Sequence, residues 1–129
     1  MSNKVSIVVI SGDREQLQMA AMLASVAAVS GSEVTVFLSM NAVRYFQQDD
    51  NSLAPAEGEV GVLLQNKNAP DFRELFQSAA ELGDANIYPC SMALDILKLS
   101  TDELVEYIGE PLGLTKFLEM SSDSQVWSF

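Results

Sequence analysis

The run Lys4-Val5-Ser6-Ile7-Val8-Val9-Ile10 is β-branched and almost continuously apolar, the pattern of a central strand covered on both faces. Ser11-Gly12-Asp13 is a turn in which Ser11 or Asp13 can cap the helix after it. From Arg14 to Ser30 no Pro or Gly interrupts the chain, and Leu17, Ala20, Ala21, Leu23, Ala24, Val26, Ala27 and Ala28 cover most of a helix circumference. A helix apolar nearly all round is buried on more than one side. In a chain of 129 residues that predicts a second subunit against it. Gly31 ends the helix as a C′ residue, and Glu33-Val34-Thr35-Val36-Phe37-Leu38 reads as the second strand. The unit is a βαβ crossover of about 35 residues, the right-handed connection that joins parallel strands.

Asn41 to Phe46 reads as a short helix. Gln47 to Ala69 is the least decodable stretch: a polar loop Gln48-Asp49-Asp50-Asn51-Ser52, then a short apolar patch Val60-Gly61-Val62-Leu63-Leu64 between Gly58 and Asn66. Connections this long are uncommon unless they cover something. A packed excursion without a chemical role is the favoured reading; a flap or a piece of subunit interface is the other. Pro70-Asp71 opens a helix with Phe72, Leu75, Phe76, Ala79, Ala80 and Leu82 on its apolar face, stopped by Gly83. Asn86-Ile87-Tyr88 is a short third strand leading to Cys90. After Pro89 breaks the ladder, Met92, Ala93, Ile96 and Leu97 recur at helical spacing, which places a helix start near Ser91. Thr101-Asp102-Glu103 is expected to cap another helix carrying Leu104, Val105 and Ile108, broken by Pro111-Leu112-Gly113. Leu114 to Met120 is a further short helix, and Gln125 to Phe129 a terminal strand. Trp127 and Phe129 are costly to expose, so they are expected to pack on a neighbour, a second subunit among the candidates.

Strands alternating with helices predict one domain, residues 1–129, of the α/β class: a three-layer α/β/α sandwich with a mainly parallel sheet of four or five strands. Sites in such sheets lie beyond the carboxyl ends of the strands. Ser11-Gly12-Asp13, Ser39-Met40-Asn41 and Pro89-Cys90-Ser91 all fall there.

Composition narrows the chemistry. Hydrophobic residues at 48% against 19% charged mark a globular chain. No apolar run reaches the roughly 18 residues that span a bilayer. The chain opens Met1-Ser2-Asn3-Lys4 and goes directly into a strand without a signal-peptide pattern, so cytoplasm is the expected compartment. A net charge of −11, from 18 acidic and 7 basic residues, repels phosphate backbones and anionic lipid. Neither nucleic acid nor membrane is therefore an expected partner. Histidine is absent, which removes the Ser-His-Asp and Cys-His machinery. A single cysteine excludes an internal disulfide, a C-x-x-C pair, a thiolate-rich zinc site and an iron–sulfur cluster held by one chain. No metal or cofactor is expected, and Cys90 acts alone or with groups from another chain.

Cys90 at the expected helix start faces unpaired backbone N–H groups and the positive end of a helix dipole, both of which favour negative charge on sulfur, the reactive form. Against this stands the ordinary fate of an unpaired cysteine, a small buried hydrophobe. Asp84 and Asp95 would also oppose a thiolate if the fold brought them close. Ser11-Gly12-Asp13 is a structural turn before it is a phosphate cradle, because no G-x-G-x-x-G or Walker spacing is present and Asp13 repels anions. Asp49, Asp50, Glu57 and Glu59 fit no calcium loop and read as solvated. Met19, Met22, Met40, Met92 and Met120 read as core or interface filler.

The opening strand, Ser11-Gly12-Asp13, the alanine-rich helix, Gly31 and Glu33-Val34-Thr35-Val36-Phe37 resemble the start of the DsrE/DsrF-like family. Cys90-Ser91-Met92-Ala93-Leu94-Asp95-Ile96-Leu97 followed by Thr101-Asp102-Glu103-Leu104 is similar to that family's cysteine segment. Lys98 stands where that family often has glycine, and Gln47–Ala69 aligns poorly with its short members. The resemblance implies a cytoplasmic α/β protein assembled as trimers or hexamers. It implies Cys90 as an acceptor of sulfane sulfur, held as a persulfide and passed between a donor and an acceptor protein. The alternative is a non-catalytic oligomeric module binding a small ligand near Gly12 and Cys90, with Cys90 lining the pocket. A thiol peroxidase is weaker, since the chain has no resolving cysteine and no Arg near Cys90 in sequence.

Overall fold

A computed structural model describes residues 3–129; Met1 and Ser2, the first residues of the expected run into the opening strand, lie outside the described residues. The β-branched runs form strands β1 (Lys4–Val9) and β2 (Glu33–Leu38), joined by helix α1 (Arg14–Val29). Gly31 follows α1 with φ +102°, a conformation that glycine adopts without a Cβ penalty. Next come a 3-10 turn at Met40–Phe46, α2 (Glu59–Asn66), α3 (Phe72–Gly83), β3 (Asn86–Pro89), α4 (Ser91–Leu97), α5 (Leu114–Met120) and β4 (Gln125–Ser128). The sheet order is β3-β2-β1-β4 and every pairing is parallel. Ile7 is opposite Val36 on one side and Trp127 on the other.

Helices lie on both sides of this sheet. α1 and α3 pack together on one side through Ala20, Ala21, Ala24, Ala28 and Ala79, all buried. Gly83 makes that approach possible: a Cβ there would sit 2.5 Å from Ala28 Cβ and 2.8 Å from Ala28 carbonyl carbon. On the other side α5 seats Phe117 on Phe37, with ring centroids 4.8 Å apart, and Ser121 and Ser6 hydroxyls meet at 2.8 Å. Phe46 anchors an aromatic cluster edge-on to Phe72, Phe76 and Tyr107. Truncating so buried a ring to alanine costs about 3–5 kcal/mol.

Three stretches depart from the sequence reading. The apolar patch at 60–64 is part of a helix, α2, although Gly61 lies inside it. Its start is fixed from outside: the Glu15 carboxylate accepts from the N–H groups of Glu57 (2.8 Å) and Gly58 (2.7 Å). Thr101–Glu103 caps no helix: it is itself a 3-10 turn whose N-cap, Ser100, makes no side-chain cap bond. Residues 104–112 instead run beside β3, the outermost strand, with Gly109 N donating to Ile87 O (2.7 Å) and Leu112 N to Pro89 O (2.9 Å). Covering that edge satisfies donors and acceptors that a helix would leave open. Lastly, Asp13 occupies the N-cap of α1 without a side-chain bond; Ser11 Oγ accepts from Asp13 N at 2.9 Å instead.

Candidate functional site

Cys90 follows β3 directly and is the N-cap of α4, with extended backbone (φ −70°, ψ 125°). Pro89 ends the strand, and Cys90 N donates to Leu38 O at 2.8 Å, tying the residue to the carboxyl end of β2. Its carbonyl accepts from Leu94 N at 3.1 Å, and Ser91 N donates to Leu112 O at 3.1 Å. The N–H groups of Met92 and Ala93, second and third in the helix, have no partner among the described residues. They lie on the N-cap side of the helix, although the Cys90 sulfur itself accepts no cap hydrogen bond. The thiol is 7% exposed, at the margin of the core, with Ala93 and Leu94 buried beside it.

The surroundings are apolar toward solvent. Met92 and Ile96 are exposed on α4, and Met40, two residues past the Leu38 carbonyl that holds Cys90, is exposed with a left-handed φ of 50°. Asp84 caps the carboxyl end of α3 before β3 begins, so the length of the four-residue strand, roughly 13 Å, separates it from Cys90. Asp95 lies exposed on α4.

Of the three strand-end turns expected to converge, two meet. Tyr45 Oη donates to Gly12 O at 3.1 Å, and a Cβ at Gly12 would lie 3.0 Å from Asn41 Cβ. A cleft of about 540 Å³ opens there, between Asp13, Asn41, Arg44, Tyr45 and Asp50, and its lining does not include Cys90. Cys90 stands two strands away, on the order of 10 Å across the sheet. The joint Gly12–Cys90 pocket expected for a ligand-binding module therefore does not form within the chain. Partial burial pulls the Asp50 carboxyl upward, but Ser52, with Arg73 and Arg44 beyond, holds it below its ordinary 3.8.

The 47–69 segment is fastened to α1 and α3. Arg14 Nε donates to Ala54 O (2.9 Å) and Nη1 to Gly61 O (2.6 Å); Arg73 Nη2 donates to Ser52 O (2.6 Å) and Nε to Tyr45 O (2.8 Å). None of these bonds reaches Cys90 or α4, so the segment is a strap over the α1/α3 layer and not a flap over the thiol. Sequence reasoning did not single out Arg14 or Arg73; their only signal was position, at the first turn of each helix. Trp127 and Phe129, expected against a neighbour, are partly buried and packed on the chain's own core. The outer face of α1 does remain open: Met19, Met22, Val26 and Val29 are exposed, Val26 at 67%. Among the described residues no group of three or more His, Cys, Asp or Glu could hold a metal ion, and no helix is long and apolar enough to cross a membrane.

The class so defined is a parallel α/β protein with a lone cysteine at the carboxyl end of an outer strand. A profile of the DsrE/DsrF-like family matches residues 3–127, and the chain belongs to that family. Among solved structures it is similar to the ychN protein from E. coli, at 17% identity and a TM-score of 0.72, with 100% of both chains covered. It is also similar to MTH1491 from Methanobacterium thermoautotrophicum, a protein of unknown function, at 14% identity and a TM-score of 0.60, covering 99% of this chain and 100% of the other. No curated protein matches.

Proposed function

We propose that this protein is a sulfur relay that carries sulfane sulfur as a persulfide on Cys90. Membership of the DsrE/DsrF-like family supports a role related to sulfur relay. The observation that carries the residue assignment is the N-cap position of Cys90, with the unpartnered N–H groups of Met92 and Ala93 beside it. The Cys90 sulfur attacks the outer sulfur of a donor persulfide; the donor S–S bond breaks and the donor thiolate leaves. An acceptor thiolate then attacks the outer sulfur held on Cys90 and frees the Cys90 thiolate. Each step is thiol exchange, consumes no net electrons and needs no histidine or metal.

Sulfur exchange at a residue only 7% exposed requires a protein that seats over it, and Met92, exposed on the first turn of α4, offers such a partner an apolar contact. The uncharged outer face of α1 from Gln16 to Ser32 supports homo-oligomerisation in a chain of charge −11, since like-charged copies approach best where charge is absent. The family resemblance makes that oligomer a trimer or hexamer. A cytoplasmic setting keeps the thiol reduced between cycles.

The test is intact mass after incubation with polysulfide or a persulfide-loaded rhodanese. Wild type should gain one or more sulfur masses that reduction removes, and Cys90→Ser should gain none. Loading of the variant, or no loading of wild type by either donor, overturns the reading. The ligand-binding alternative keeps one specific support, the cleft between Asn41, Arg44 and Tyr45. It predicts slow alkylation of Cys90 by iodoacetamide, where a relay predicts alkylation faster than a free thiol at neutral pH.

A further inference from the structure

Between the 47–69 strap and the start of α3 lies an open cleft of about 180 Å³, lined by Leu53, which is itself 61% exposed, by Leu64 and by the edge of buried Phe72, and flanked by Arg14 and Arg73. That is the room of about six waters. Its charged lining is the two guanidinium groups and Asp71, a net +1, in a chain of net charge −11. Asp71 is spoken for: it pairs with Arg73 at 3.1 Å and caps α3 by accepting from Arg73 N at 2.8 Å. Arg14 has no carboxylate within ion-pair distance among the described residues. Its Nε and Nη1 bond to the carbonyls of Ala54 and Gly61 and, at 3.5 Å, to Gln65 Oε1, while Nη2 donates to nothing among those residues.

An arginine held rigid by backbone carbonyls, unneutralised and beside an apolar wall, is a preorganised anion receptor. Small-ligand sites likewise set a few fixed polar groups beside apolar side chains. We propose that this cleft binds a compact monocarboxylate, its carboxylate on the free Nη2 of Arg14 and its apolar body against Leu53, Leu64 and Phe72. The volume limits the body to a single ring or a short chain. A fully hydrated tetrahedral anion would leave the apolar wall unused, so the planar carboxylate is the better match. Because the strap itself forms one wall, bound ligand would hold α2 against α1. The site does not involve Cys90 and stands whether or not that thiol carries sulfur.

Titration calorimetry with benzoate and hexanoate tests it, with benzamide and inorganic phosphate as controls. Wild type should bind at least one of the two carboxylates saturably at one site. Benzamide should bind about ten-fold more weakly or worse, the loss of one charge-assisted contact, and phosphate should not compete. Arg14→Gln should lose affinity by about ten-fold or more. Since that change also cuts bonds to the strap, Leu64→Trp provides a second variant that fills the cleft and leaves the guanidinium in place. It should fold with an unchanged circular dichroism spectrum and lose carboxylate binding. No saturable binding of either carboxylate to wild type, equal competition by phosphate, or undiminished binding to Leu64→Trp would each overturn the proposal.

Discussion

If Cys90 carries the proposed sulfur chemistry, replacing it removes that chemistry, but the interpretation depends on what the replacement does to the fold. Cys90→Ser puts a hydroxyl where a thiol is 7% exposed. A buried hydroxyl without a partner costs about 1–3 kcal/mol in mutational series. Here a partner is in place: serine is a favoured N-cap residue, and the Met92 and Ala93 N–H groups are free to donate to its oxygen. Such a cap returns about 0.5–2 kcal/mol. The two effects nearly cancel, and we expect Cys90→Ser within about 1 kcal/mol of wild type. Cys90→Ala gains no cap and gives up one heavy atom of buried volume, about 1 kcal/mol. At roughly 2.1 cal/mol/K per residue, the unfolding entropy of a chain this size turns 1 kcal/mol into about 4 °C of Tm. Serine should therefore melt no lower than alanine, and both within about 4 °C of wild type, by calorimetry under reducing conditions. A Cys90→Ser variant that melts 10 °C or more below wild type would refute the reasoning. It would mean the hydroxyl finds no donor, the N-cap geometry is wrong, and the cysteine is there for packing.

The same geometry sets three other expectations. Gly83→Ala pushes a methyl into the Ala28 backbone, which cannot rotate away, and should cost about 1–3 kcal/mol, read as a lower urea midpoint at unchanged slope. Backbone N–H donation by Glu57, with Gly58 adding to it, outweighs an opposing desolvation and lowers the Glu15 carboxyl below its ordinary 4.5. A lowered folded pKa contributes stability that is complete above the unfolded value and is lost as pH falls through the folded one. The protection factors for hydrogen exchange over residues 57–66, the intrinsic rate divided by the observed rate at the same pH, should thus fall as pH drops below about 4.5, and Glu15→Gln should flatten that dependence. Val26→Glu sets a charge on the open face of α1 and should shift sedimentation from oligomer toward monomer; a stable wild-type monomer would remove the oligomer from the proposal.

Local character was readable wherever a segment's own side chains decide its state. The β-branched runs at 4–10 and 33–38 need only their composition to be strands. Asp71 caps α3 by its own carboxylate, and Pro89 sets the break that leaves Cys90 at the head of α4. The segments that escaped reading are those whose backbone is completed by a distant side chain or strand. Val60-Gly61-Val62-Leu63-Leu64 has no helical signature of its own, because glycine weakens it and its apolar residues are consecutive. Its first turn is capped by Glu15 and its carbonyl at Gly61 is held by Arg14, both more than 40 positions away in the chain. Leu104 to Leu112 carries a credible helical pattern, yet it is bonded first to Phe46 and then along the outer edge of β3. Nothing local reveals that edge, because β3 becomes an outer strand only once β4 has paired with β1 instead. The same global fact sets the candidate site. With β3 outermost, Cys90 stands at the rim of the sheet, two strands from the Gly12 cleft, with Leu112 on its open side and Leu38 on the other. A thiol held there between Leu38 and Leu112 is kept away from the chain's own cleft, whereas one beside β1 would face it. The order of the strands, more than the residues around the cysteine, is what favours a relay over a pocket.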